Sequence, residues 1–140
     1  MKKLTTLFAV VIAIGFSLTS CTEEKNSDSL IEGKWAYFQK GLETSKGEVL
    51  NVLEHENLCS ENYVEFLKDG TVNECSYYHD GTCKPEVDSG SWNKVGDDLT
   101  INFPLTEKET AKILELDEKT LKVKANVNGV NIIYVYKKVI

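Results

Sequence analysis

Residues 120–138 read TLKVKANVNGVNIIYVYKK. Leu121, Val123 and Ala125 alternate with Lys122, Lys124 and Asn126, the period of two that turns one strand face to a core and the other to water. Asn128-Gly129 interrupts the run with residues that tolerate the positive φ of a tight turn, and VNIIYVYKKV resumes it. The stretch is a β-hairpin, and the same pattern repeats back along the chain. AKILEL reaches it through Asp117-Glu118-Lys119, and LTINF follows the Gly96-Asp97-Asp98 turn with Leu99, Ile101 and Phe103 on one face. SGSWNKV precedes that turn, YVEFL and TVNECSYY flank Lys68-Asp69-Gly70, and Gly33 to Gln39 form the first strand. The polar stretch 41–61 has room for a short helix or strand around Val49 to His55. With two prolines and turn signals at short intervals, the chain reads as all-β, with about eight antiparallel strands. Consecutive hairpins favour an up-and-down barrel over a sandwich, because closure removes the sheet edges.

The N-terminus has a different character. Lys2 and Lys3 precede an uncharged apolar run from Leu7 to Phe16, with small and hydroxylated residues after it. This is the layout of a secretory signal, and the run is shorter than the roughly 20 residues a membrane-spanning helix needs. Leu18-Thr19-Ser20-Cys21 resembles the lipobox of bacterial lipoproteins. That resemblance implies a cleaved signal peptide over 1–20, a diacylglyceryl group on Cys21, and acyl chains, palmitate among them, that tether the protein to a membrane. Residues 21–30 are then the lipidated cysteine and a polar, flexible tether, and residues 31–140 are one domain. Thr22, Glu23 and Glu24 resemble the surface-export signal of some Gram-negative lipoproteins. The expected location is the cell envelope, at the outer membrane and exposed on its surface.

Composition narrows the partners. The sequence contains no arginine, and removal of the signal leaves 14 lysines against 22 acidic side chains, a net charge of −8. Nucleic acids and anionic headgroups are poor partners for such a domain. Cys59, Cys75 and Cys83 remain after Cys21. In an oxidising compartment they imply one disulfide and one free thiol, with three pairings open. His55-x₃-Cys59 and Cys75-x₃-His79 raise the idea of zinc. On a strand, however, residues four apart lie roughly 13 Å from each other, too far to share one ion, so no metal or other cofactor is expected. No G-x-S-x-G, H-E-x-x-H or phosphate loop is present, and nothing assigns a catalytic residue.

Four pieces then carry a second resemblance. IEGKWAYFQ contains Gly-x-Trp, and LCSENYVEFLKDGTVNEC follows it. A later cysteine and SGSWNKVGDDLTI complete the order. The set resembles the lipocalin-like domains of small bacterial lipoproteins over about residues 31–138. The resemblance implies that Trp35 plugs the closed end of a barrel and that Gly33 lets backbone approach there. It also implies that Cys59 and Cys83 form the disulfide, leaving Cys75 free. Lipocalins proper lay an arginine across the signature tryptophan; here Lys137 or Lys138 is left to stack on Trp35.

A barrel of eight strands holds side chains or one small ligand. Two functional expectations follow. In the first, Trp35, Tyr37, Phe66, Trp92, Phe103, Tyr134 and Tyr136 line an interior that takes a small apolar ligand, with 41–61 as a lid. In the second, the barrel is filled and its loops, with Tyr77, Tyr78 and His79 near a hairpin end, bind a protein or glycan. Neither involves catalysis.

Overall fold

The computed structural model describes residues 27–54, 59–77 and 82–140. The signal segment, Cys21, His55, Tyr78 and His79 lie outside the described residues. A single helical turn, α1 (Ser27–Ile31), precedes nine strands: β1 (Gly33–Thr44), β2 (Gly47–Val52), β3 (Tyr63–Phe66), β4 (Thr71–Tyr77), β5 (Pro85–Val95), β6 (Asp98–Asn102), β7 (Glu109–Leu116), β8 (Thr120–Val127) and β9 (Val130–Lys138). The last residues of the stretch read as a tether therefore include α1, and Ile31 at its end is fully buried.

All strand pairs are antiparallel. β3 to β9 pair in sequence order, and β1 closes the ring by pairing with β3 on one side and β9 on the other. Eight strands thus make a closed barrel, as the repeated hairpins indicate, and β2 is a ninth added outside it. Turn chemistry holds the register. The Asp69 carboxylate accepts from the Thr71 amide at 2.9 Å, and Asp117 accepts from the amides of Lys119 and Thr120, both at 2.7 Å. Asn128 and Gly129 both have positive φ, at 52° and 83°, as the two-residue turn demands.

β1 departs from the expected strand. It runs on to Thr44 because the register slips by one residue between Tyr37 and Gln39. Such a bulge reverses the inside-outside alternation and bends the strand. Beyond it, Gly41 is buried, and a Cβ built there would overlap the Val49 carbonyl. The β1–β2 hairpin therefore folds against the outer wall. Glu43 takes Lys124 at 3.1 Å and the Asn131 amide at 2.7 Å, and Glu48 pairs with Lys122. These lysines alternate with Leu121 and Val123 of the core, so they lie on the outer face of β8. Ile133 and Val135, which alternate with the inward Tyr134 and Tyr136, are accordingly buried outside the barrel.

The main core fills the end of the barrel where β3–β4, β5–β6 and β7–β8 turn. It comprises Ile31, Trp35, Val64, Phe66, Val72, Leu99, Ile113, Leu121 and Val123. Cys59 and Cys83 form the disulfide, with Cα atoms 5.2 Å apart. It joins the β2–β3 and β4–β5 connections at the opposite, open end. Cys75 is the free thiol, buried on the outer wall of β4.

Candidate functional site: a cavity above a tryptophan floor

Trp35 closes the barrel from below. Its indole N–H donates to the Ile31 carbonyl at 2.6 Å, so the turn of α1 is what caps the base. The Lys138 ammonium stands 4.2 Å from the Trp35 ring centroid. It also donates to the carbonyls of Leu30, at 3.2 Å, and Glu32. Lys138 rather than Lys137 therefore takes the place of the missing arginine; Lys137 lies over Phe38. Partial burial depresses the Lys138 pKa. Gly33 has φ of 110°, and a Cβ there would meet the Lys138 side chain at 3.1 Å. Its role is to admit that lysine rather than neighbouring backbone.

Above this floor the barrel is hollow. A cavity of about 270 Å³ is lined by Tyr37, Phe66, Phe103, Tyr134 and Tyr136, five of the seven aromatics assigned to the interior. Trp35 and Trp92 do not line it. Trp35 is sealed into the floor, and Trp92 turns its N–H to the Leu67 carbonyl at 2.9 Å and its ring edge-on to Phe66, 5.5 Å between centroids. Both tryptophans thus spend their polar atoms on the closed end. Aliphatic side chains from β3, β6, β7 and β8 complete the apolar wall. Among the described residues of 41–61 none lines the cavity. The bulge and Gly41 carry the hairpin to the outer wall instead of over the mouth as a lid.

Three polar side chains in the lining were not anticipated: Glu74, Thr106 and Glu109. Glu74 was legible, since it falls two residues after core Val72 on β4 and so must face inward. Thr106 comes from the β6–β7 connection and Glu109 opens β7 directly after it, where no period guides the reading. Glu74 accepts a hydrogen bond from the Tyr37 hydroxyl at 2.6 Å. The Tyr37 and Tyr136 rings lie 4.9 Å apart, and Tyr134 and Tyr136 stack at 6.4 Å. Burial pushes the phenols of Tyr37 and Tyr136 well above the ordinary tyrosine value, reinforced by the neighbouring phenols and by Glu74. Both stay neutral and able to donate. The result is an apolar chamber with one polar corner, the usual form of a small-molecule site.

Cys59, one residue of the His-x₃-Cys spacing, is committed to the disulfide. On the outer wall Tyr63 is hydrogen-bonded to the buried Cys75 thiol, which, with partial burial, pushes its phenol up to about 12.

A family model of the lipocalin-like domain matches residues 31–123. Solved structures share the fold. A lipocalin-like protein from Bacteroides uniformis is 17% identical with a TM-score of 0.58, over 79% of this chain and 99% of that one. An uncharacterized protein from Bacteroides eggerthii is 17% identical with a TM-score of 0.56, over 78% and 99%. Apocrustacyanin C1 is 16% identical with a TM-score of 0.50, over 85% of this chain and 64% of its own. No curated protein matches the sequence. The chain belongs to the lipocalin-like domain family.

Proposed function

We propose that this lipocalin-like chain binds a small, largely apolar molecule inside its barrel and does so tethered to the cell envelope through lipidated Cys21. The carrying observation is the cavity above Trp35. A space of about 270 Å³ is well above the roughly 150 Å³ that suffices for benzene. It is apolar in most of its wall and polar in one corner, so burial supplies affinity and the corner supplies orientation. The hollow interior favours this reading over the filled barrel with a loop-borne protein or glycan site. It also supports binding rather than catalysis. The anchor rests on the Leu18-Thr19-Ser20-Cys21 motif, and outer-membrane and surface placement on the acidic residues that follow it.

The test is thermal unfolding with a panel of apolar molecules of one or two rings. A ligand of the native state raises Tm by mass action. The expected result is a concentration-dependent rise in the wild type, abolished in Ala125→Phe, which fills the chamber from β8. An equal rise in the filled variant would place binding elsewhere.

A further inference from the structure

We infer that the chamber selects a ligand with an apolar body and a cationic, hydrogen-bond-donating head, an organic amine seated at Glu74, and discriminates against carboxylates of fatty-acid type. This deepens the ligand-cavity reading and rests on it.

The polar groups of the lining carry the inference. Two carboxylates, Glu74 and Glu109, and three phenols, Tyr37, Tyr134 and Tyr136, face the space, and among the described residues no lysine does. Glu74 uses Oε1 to accept from Tyr37. A carboxylate offers roughly four lone-pair sites, so it retains acceptors for a ligand. Among the described residues neither glutamate takes part in an ion pair; those found tie Lys112, Lys122 and Lys124 to the outer surface. Two lysines stand near the aromatic lining without entering it. Lys138 is beneath Trp35 and engaged by backbone carbonyls. Lys40 is exposed, 5.2 Å from the Tyr134 ring centroid.

A charged group entering this space loses water and must find compensation. An ammonium finds Glu74 as acceptor, Glu109 at the mouth and the electron-rich faces of tyrosine rings. A carboxylate finds two like charges, and the Tyr37 hydroxyl is already committed to Glu74. Because burial keeps Tyr37 and Tyr136 protonated, they add no negative charge of their own, and Tyr37 serves to orient Glu74.

Three probes that share an indole ring and a two-carbon chain separate the possibilities: tryptamine, neutral 3-ethylindole and indole-3-propionate. Each is titrated calorimetrically into the full chain at about 0.15 M salt, where screening over roughly 8 Å suppresses the pull of the protein's net negative charge. Tryptamine is expected to bind at least tenfold tighter than 3-ethylindole, and indole-3-propionate weakest. Glu74→Gln should bring tryptamine to within about threefold of 3-ethylindole while leaving 3-ethylindole affinity unchanged. Glu65→Gln, on the outward face of β3, should leave the tryptamine preference intact. If 3-ethylindole or indole-3-propionate binds as tightly as tryptamine, the amine assignment is overturned while the ligand cavity stands. If none of the three binds, both fall together. A preference lost equally in Glu65→Gln would reduce it to bulk charge.

Discussion

Lys138 shows how one side chain can replace a missing one. Its ammonium lies over Trp35 and holds the carbonyls at the end of α1. Lys138→Met keeps most of the volume but leaves those carbonyls without their donor and removes the cation–π contact. A loss of roughly 2 kcal/mol is expected in urea unfolding, with Lys138→Arg largely retaining stability. Equal stability of Lys138→Met and the wild type would mean that the lysine only covers the ring. The phenols give a second prediction. Tyr37, Tyr63 and Tyr136 are all raised in the folded state. The folded protein therefore holds protons that the unfolded chain releases above about pH 10. Stability from these groups is complete below that value and falls as pH rises through it. Lys138, with its lowered pKa, has the opposite sign just below the ordinary lysine value, so its Met variant should show a steeper alkaline loss. Urea midpoints between pH 9 and 12 measure both; a midpoint constant to pH 12 would contradict the phenol burial.

At the scale of elements, alternation made seven of the eight barrel strands visible over most of their length, because one face of each is apolar and the other polar. β5 was seen only from Ser89 onward: its first residues are exposed on both faces, so no period marks them. β2 is legible only as a short helix or strand around Val49 to His55, because its partner β1 slips register at the bulge. A single extra residue hides the continuation of a strand, since every position beyond it changes face. The same slip sends the β1–β2 hairpin to the outer wall. Gly41→Ala should thus be costly, since backbone occupies the Cβ position. The expected signature is a lowered Tm with faster hydrogen exchange in β2. Glu48→Gln should cost no more than about 1 kcal/mol, as a half-exposed ion pair. The disulfide pairing came from the family pattern; spacing alone left three choices. It closes a loop with a sequence separation of 24, so Cys59→Ser should cost roughly 3 kcal/mol, measured with and without reductant on the wild type. A larger loss from Cys75→Ser would point instead to the buried thiol and its contact with Tyr63.

The whole molecule is a cup with a sealed tryptophan base, a hairpin buttress on one wall and a chamber that opens at the disulfide end. The barrel was legible because eight strands and short turns admit few closures. The chamber was not, because inward aromatics read equally well as core or lining. Packing decided between them: the two tryptophans found partners at the base, and the three tyrosines stayed above it. On the membrane side, Cys21→Ser should release the protein from membranes, and a variant still sedimenting with them after a high-salt wash would contradict the anchor. The claim that the barrel interior is the ligand site meets its most direct test in solution NMR. ¹⁵N-labelled protein is titrated with 3-ethylindole, whose neutrality makes the result independent of charge preference. The account predicts shifts clustered around Tyr37, Glu74, Ile101, Ala125 and Tyr136 on the inward faces of β1, β4, β6, β8 and β9, and at Phe103 just beyond β6. Shifts confined to the β1–β2 hairpin and the outer wall, or no shifts at saturating probe, would contradict it.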